Sequence, residues 1–305
     1  DPIPAGAGLC PQGFPGGRAG PIRCLARPGV LWNGLSSASR FVHGRRHRLV
    51  PLAAGTGSHP EGVERELDGK GWSSQKGVVF VAEPVTLALI GAGNRGGDVY
   101  AAWCLAHPDQ ARVVAVADPR EERRNLVGER HQIPPERRYA RWEDLLQGPR
   151  LADGVIIATP DQMHVAPALR AMELGYDILL EKPIAPTRDE LLQVARAAEQ
   201  LQARGGSITV AHVLRYTPFF STLKRLLDQG RIGQIVSIQY AENIGYWHFA
   251  HSYVRGNWRR EDTSSPMILA KSCHDMDMLR WLVGRPWQRI ASFGSLLHFR
   301  RENAP

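Results

Sequence analysis

Residues 85–106 constrain the fold more than any other stretch. A run from Val85 to Ile90, apolar but for Thr86, leads into Gly91-Ala92-Gly93-Asn94-Arg95-Gly96 and then a helical pattern through Ala106. An apolar run of strand length without alternation belongs to a strand covered on both faces, as in a parallel sheet. Glycine at these three positions allows a tight turn at Gly91, close approach of the backbone to a ligand at Gly93, and close packing of helix on strand at Gly96. The motif then repeats in outline. Apolar segments Arg112 to Ala117, Gly154 to Ala158, Asp177 to Leu180 and Ser207 to Ala211 are separated by helical patterns, among them Met163 to Leu174 and Arg188 to Ala203. The alternation predicts a doubly wound α/β domain of the Rossmann type over residues 83–213.

An acid, Asp118, closes the second strand 22 residues after Gly96. A carboxylate there accepts hydrogen bonds from ribose hydroxyls, while the helix N-terminus at the glycines attracts a pyrophosphate. It also repels a 2′-phosphate, so NAD is the expected cofactor. Arg120, Arg123 and Arg124 stand close enough to keep NADP possible.

A second constellation, Glu181-Lys182-Pro183, follows the strand Asp177 to Leu180. Ligands of open α/β sheets bind beyond the carboxyl ends of strands, which puts Lys182 at the crevice. A lysine partly desolvated there can exchange a proton with a substrate hydroxyl. A surface salt bridge with Glu181 is the competing use, and spacing alone does not separate the two.

After Thr217 the pattern changes. A helix over Pro218 to Asp228 precedes Gly230 and Gly233. A strand from Ile235 to Glu242 alternates without a purely apolar face, and an aromatic and His-rich loop runs from Gly245 to Trp258. A helix over Cys273 to Val283 and a strand from about Gln288 complete the pattern. This predicts a second, α+β domain over 214–305, incomplete at Pro305.

Composition bears mainly on the first 77 residues. The chain has 38 Lys plus Arg against 30 Asp plus Glu, a net charge of +8, and residues 1–77 hold ten of the bases and five of the acids. The remainder is close to balance, which removes the electrostatic case for a nucleic-acid partner. The first methionine is Met163 and the leading segment is rich in Gly, Pro, Arg and Ser. Residues 1–77 are therefore expected outside the fold, as upstream sequence, a targeting segment or a disordered extension. No run approaches the ~18–20 apolar residues of a membrane helix. Cys10, Cys24, Cys104 and Cys273 form no CxxC pair or framework, which points to a reducing, cytoplasmic setting without disulfides or structural zinc.

The combination of Gly91 to Gly96, Asp118, Thr159-Pro160, Glu181-Lys182-Pro183 and His274-Asp275-Met276-Asp277 resembles the Gfo/Idh/MocA family of NAD(P)-dependent oxidoreductases from residue 83 onward. The resemblance implies a Rossmann domain followed by a domain with an open-faced, mostly antiparallel sheet, through which a homo-oligomer would form. It implies sugars, polyols and their derivatives as substrates. Lys182 is then the catalytic lysine and His274 the substrate-side histidine. Gly91, Gly93, Asn94, Arg95, Gly96, Asp118, Thr159, Pro160, His164, Glu181 and Lys182 are the expected cofactor-binding set. Many members carry Asp four residues before the histidine, where this chain has Ala270 followed by Lys271. Proton relay would then rest on Lys182 and His274 with Asp275 or Asp277.

His274 and Asp277, three residues apart on a helix, share a face, so Asp277 is placed to orient the imidazole or else to face solvent. His212 lies at a strand end beside the crevice. Aromatic faces stack on sugar rings and imidazole or guanidinium groups bond hydroxyls or a carboxylate. Tyr246, Trp247, His248, His251 and Arg255, with His212 and Asp275, are thus the candidate substrate contacts, and packing or a subunit contact is the competing use of that loop. No third ligand accompanies His248 and His251, so no metal is expected. The expected activity is hydride transfer between a nicotinamide and a sugar or polyol carbon. An NAD-dependent glycoside hydrolase using transient redox and an inactive NAD-binding regulator are the rivals.

Overall fold

The computed structural model describes residues 83–260 and 262–303. The expectations for residues 1–77 lie outside the described residues. Six strands form one wholly parallel sheet: β1 Val85–Ile90, β2 Ala111–Ala117, β3 Arg138–Tyr139, β4 Gly154–Ile157, β5 Asp177–Leu180 and β6 Ile208–Val210, in the order β3-β2-β1-β4-β5-β6. The order reverses between β1 and β4, which opens a crevice beyond their carboxyl ends.

Alternate residues of each central strand feed two cores, and this is why the strands read as continuous apolar runs. Ala88 and Ile90 of β1 join Val155, Ile157, Ile178 and Leu180 beneath helices α4 (Val165–Glu173) and α5 (Arg188–Ala203). Leu89 joins Val113, Val116 and Ile156 beneath the other helical layer. That layer holds a π-helical stretch, Asn94–Ala101, running into α1 (Ala102–Ala106), and then α2 (Glu121–Arg130). A short helix α3 (Trp142–Leu145) packs near β2 and β3. Thr187 caps α5: its hydroxyl oxygen accepts from the Glu190 amide at 3.3 Å, the N-cap half of a T-x-x-E capping box, while the Glu190 carboxylate accepts from the same hydroxyl at 2.6 Å.

Beyond Tyr216 the described elements are helical: α6 Pro218–Asp228, α7 Tyr246–Phe249 continuing as a π turn over Ala250–Val254, and α8 Met267–Val283. Three local expectations are corrected here. The aromatic loop contains helical turns. Helix α8 starts at Met267 instead of Cys273, six residues earlier, because extended Pro266, with ψ of 150°, sets the helix entry there. The strands expected from Ile235 and from Gln288 are not formed among the described residues, where neither segment has a backbone hydrogen-bonding neighbour. A strand without a ladder partner leaves its polar groups to water and does not persist; Val236 and Phe293 are accordingly 96% exposed.

Candidate active site

The glycine loop turns sharply where β1 ends. Gly91 has φ +92°, and a Cβ on Gly96 would lie 1.8 Å from the Gly91 carbonyl oxygen, so no side chain is possible at that position. The bare backbone cradle at the head of a helix is the shape a pyrophosphate needs. Asp118, 6% exposed at the tip of β2, accepts from the Ala92 amide at 2.8 Å and the Arg120 amide at 2.9 Å. Its carboxylate therefore ties the loop to the second strand. The residues present suit NAD. Asn94 and Arg95 stand exposed on the loop, and the Arg123 guanidinium overhangs Gly93.

Across the crevice, Glu181 lies buried behind Lys182. One oxygen accepts from the Tyr100 hydroxyl at 2.5 Å and the other from the Lys182 amide at 3.1 Å. Burial, followed by the charge of Glu181, pushes the Tyr100 phenol up, so it remains a donor at all working pH values. Glu181 thus joins the helix after the glycine loop to the strand end that carries Lys182, instead of pairing with the lysine at the surface. The Lys182–Pro183 peptide is cis, and the Lys182 ammonium donates to the Ala270 carbonyl of α8 at 3.0 Å. At Ala270, which offers no side-chain acceptor, it is the main-chain oxygen that receives the lysine.

His164 departs from expectation. It is fully buried, with Nδ1 2.7 Å from the Pro183 carbonyl and Nε2 2.9 Å from the Thr159 carbonyl. Both nitrogens are engaged by the main chain, so the ring joins the β4 and β5 loops and has no group left for the cofactor. Thr159 likewise directs its hydroxyl to the Met163 carbonyl at 3.0 Å, next to exposed Pro160.

On the far wall, His212 and His274 meet edge to face with centroids 5.7 Å apart. The Nδ1 atoms of both, and the Ser265 hydroxyl, are buried without a partner among the described residues. Burial, then the charges of Lys182, His212 and Lys271, push His274 down to about 4, so it is neutral at pH 7. His212 is lowered by burial too, against the pull of Asp277. Asp277 does not hold His274. Its two oxygens take a forked pair of bonds from Arg215, 2.7 Å from Nε and closer from Nη2, and the nearer imidazole is His212 at 4.0 Å. An arginine fork outcompetes a neutral imidazole for a carboxylate.

The aromatic segment is docked on the first domain: the Trp258 indole donates to buried Asp161 at 2.9 Å and the Gln162 amide to the Asp262 carbonyl at 3.1 Å. Burial, then Asp161, pushes Tyr253 up to about 12. His248 meets the Trp247 and Tyr253 rings and is lowered by burial and then by Lys271, His251 and Lys182. Tyr246 and Trp247 are 82% and 67% exposed, and His251 and Arg255 are exposed with them. The structure therefore brings His212 and His274 together, with Lys182 acting on both, and leaves Tyr246 and Trp247 largely exposed. Tyr100, Asp161, Arg215 and Ser265 were missed in sequence. The first three act through residues distant along the chain, the Ser265 hydroxyl is buried without a partner among the described residues, and no local spacing marks any of them.

Residues 85–212 match an oxidoreductase family with an NAD-binding Rossmann fold, and residues 224–304 match the C-terminal alpha/beta domain of the same family. Inositol 2-dehydrogenase 2 of Saccharopolyspora erythraea is 29% identical over 204 residues, 66% of this chain and 54% of that protein. The scyllo-inositol 2-dehydrogenase (NAD(+)) of Bacillus subtilis is 27% identical over 218 residues, 70% and 58%. The crystal structure of scyllo-inositol dehydrogenase from Lactobacillus casei, with bound NAD(H) and scyllo-inositol, superposes with a TM-score of 0.56 at 21% identity, over 66% of this chain and 57% of that one. The chain spans about half the length of such relatives.

Proposed function

The chain belongs to the Gfo/Idh/MocA family of oxidoreductases, and on that premise we propose that it interconverts a hydroxyl and a carbonyl on a sugar, polyol or sugar derivative. NAD, held on the Gly91–Gly96 cradle beside Asp118, supplies the hydride acceptor or donor. Lys182 carries the proton that leaves or joins the substrate oxygen. Its ammonium is aimed across the crevice with a main-chain carbonyl as its one hydrogen-bond partner among the described residues, and this is the observation that carries the reading. A neutral acceptor leaves the ammonium free of a competing carboxylate and able to exchange a proton with a substrate hydroxyl.

His274, neutral at pH 7, is placed to fix that same oxygen, with His212 beside it. His164 and Tyr100 hold the lysine loop from below. Glu181 and Asp161, buried and hydrogen-bonded to Tyr100 and Trp258, fix the segments on either side of it.

The test is NAD reduction against inositols and sugars, comparing wild type with Lys182→Ala. Loss of a positioned acid/base should cost about 10²–10⁴-fold in kcat, with NAD affinity, read by protein fluorescence, changed only a few-fold. Unchanged turnover in the variant would sink the assignment. Tight NAD binding without turnover of any substrate would favour an inactive regulator.

A further inference from the structure

We infer that Arg123 is the side chain that receives a phosphate group of the dinucleotide, over Gly93 of the glycine loop. The inference rests on that loop being the cofactor cradle and adds the residue that supplies its positive charge.

Gly93 is a glycine that the free protein does not itself require. Its backbone is extended, with φ of −78°, a conformation open to any residue. Among the described residues, a Cβ built there meets one atom from elsewhere in the fold within 4 Å, Arg123 Nη1 at 3.2 Å, the end of a flexible side chain. At Gly96, by contrast, the main chain itself leaves no room. The space over Gly93 is therefore open, and the Arg123 guanidinium borders it. The helix that begins there has no side-chain cap and no acid in its first turn. Uncapped amides at a helix N-terminus, with a cation beside them, suit an oxyanion.

Three arginines follow the second strand, and their uses differ. Arg124 donates to the Asp118 carbonyl at 2.7 Å, which fixes it to the strand end. Arg120 gives its amide to the Asp118 carboxylate, and its side chain is exposed. Arg123 is the one of the three that stands against Gly93. Among the described residues it has no ion pair and no side-chain hydrogen bond. Residues 118–124 hold three acids and three arginines, so position decides here and net charge does not. Asp118 is bound by the Ala92 and Arg120 amides, and Glu121 and Glu122 lie exposed in the first turn of α2, where the helix dipole favours acids. The same dipole disfavours a guanidinium in that turn, and an anion bound over Gly93 offsets the cost. The second glycine of such a loop is where a pyrophosphate approaches. The pyrophosphate common to NAD and NADP and the 2′-phosphate of NADP share the required chemistry.

The test measures binding by calorimetry with the whole chain and no substrate, using NAD, NADP and ADP-ribose against wild type, Arg123→Met and Arg123→Lys. At low salt Arg123→Met should bind at least one dinucleotide about tenfold more weakly, the size of one well-placed charge pair. Its melting temperature should match wild type, because the side chain is exposed. Arg123→Lys should recover part of the loss, and added sodium chloride should shrink the difference between wild type and Arg123→Met. An equal loss for NAD, NADP and ADP-ribose identifies the pyrophosphate as the partner, and a loss confined to NADP identifies the 2′-phosphate. Unchanged affinity for every ligand in Arg123→Met overturns the inference. So does a loss that salt leaves untouched, which would mark stacking on the adenine. Gly96→Ala and oxidation assays keep the two readings apart. Binding lost in Gly96→Ala but intact in Arg123→Met removes Arg123 and keeps the cradle. Arg123-dependent binding with no polyol oxidised removes the dehydrogenase and keeps the phosphate contact.

Discussion

Arg215, just past the last strand of the sheet, closes a two-pronged bond on Asp277 of α8 and so joins the end of the cofactor domain to the helix that carries His274. Asp277 is mostly buried, and the Arg215 guanidinium also lies over Trp281, 5.7 Å from the ring centroid. Asp277→Asn removes the charge and one acceptor while leaving the arginine in place. It should destabilise by about 1–3 kcal/mol, less than a fully buried pair because the arginine reaches water. Arg215→Lys should recover only part, since an ammonium cannot form the fork. Urea unfolding measures both, and a loss within the roughly 0.5 kcal/mol of an ordinary surface change would refute the role.

His274 makes stability depend on pH in a defined direction. Its folded value of about 4 lies below the 6.5 of an unperturbed imidazole, with burial the first cause and Lys182 the second. Between those values the unfolded chain binds more protons than the folded one. Its contribution is therefore complete above about pH 6.5 and is lost as pH falls toward 4. His212, also lowered, acts in the same sense. Urea midpoints from pH 7.5 to 4.5 should fall more steeply for wild type than for His274→Gln, by on the order of 2 kcal/mol after allowance for partial exposure. Parallel curves would show that His274 is not held neutral by its surroundings.

The first domain was legible because its signals are local. A strand buried on both faces appears as an apolar run, and β1, β2, β4, β5 and β6 fall where those runs lie. The glycine loop, Asp118 and Lys182 were readable too, since each is set by its position at a strand end. What escaped depends on partners far along the chain. That Asp277 sits three residues from His274 says they share a face, but its choice of Arg215, 62 residues earlier, comes from packing. His164 has a ligand's chemistry in sequence, and only the fold shows both nitrogens engaged by carbonyls. The strand pattern at Ile235 is alternation alone, and alternation does not supply a neighbouring strand.

Tyr100 links the glycine-loop helix to the lysine loop through Glu181. Tyr100→Phe keeps the ring, which is 4% exposed, and removes the hydroxyl. A buried carboxylate oxygen is then left without its donor, at a cost of about 1–3 kcal/mol. The Glu181 carboxylate also anchors the Lys182 amide, so kcat should drop several-fold while the substrate KM changes little. Thermal melting and steady-state kinetics test the two parts separately. Lower stability with unaltered kcat would make Tyr100 a packing residue and leave the lysine loop positioned by His164 alone.

The glycine loop offers a comparison between two reasons for glycine. At Gly96 a Cβ would sit 1.8 Å from the Gly91 carbonyl oxygen and 3.1 Å from Leu89, with main chain on one side and core on the other, so the loop must move. At Gly175 φ is +76°, yet nothing lies within 4 Å of a Cβ, so alanine there meets only the left-handed backbone penalty of about 1–2 kcal/mol. Gly96→Ala should therefore abolish NAD binding, because the displaced Gly91 turn carries the Ala92 amide away from Asp118 and closes the cradle. Gly175→Ala should melt slightly lower and bind NAD as wild type does. Titrating NAD against protein fluorescence, alongside thermal melting, separates the two. NAD affinity preserved in Gly96→Ala would show that the loop is not the cofactor cradle.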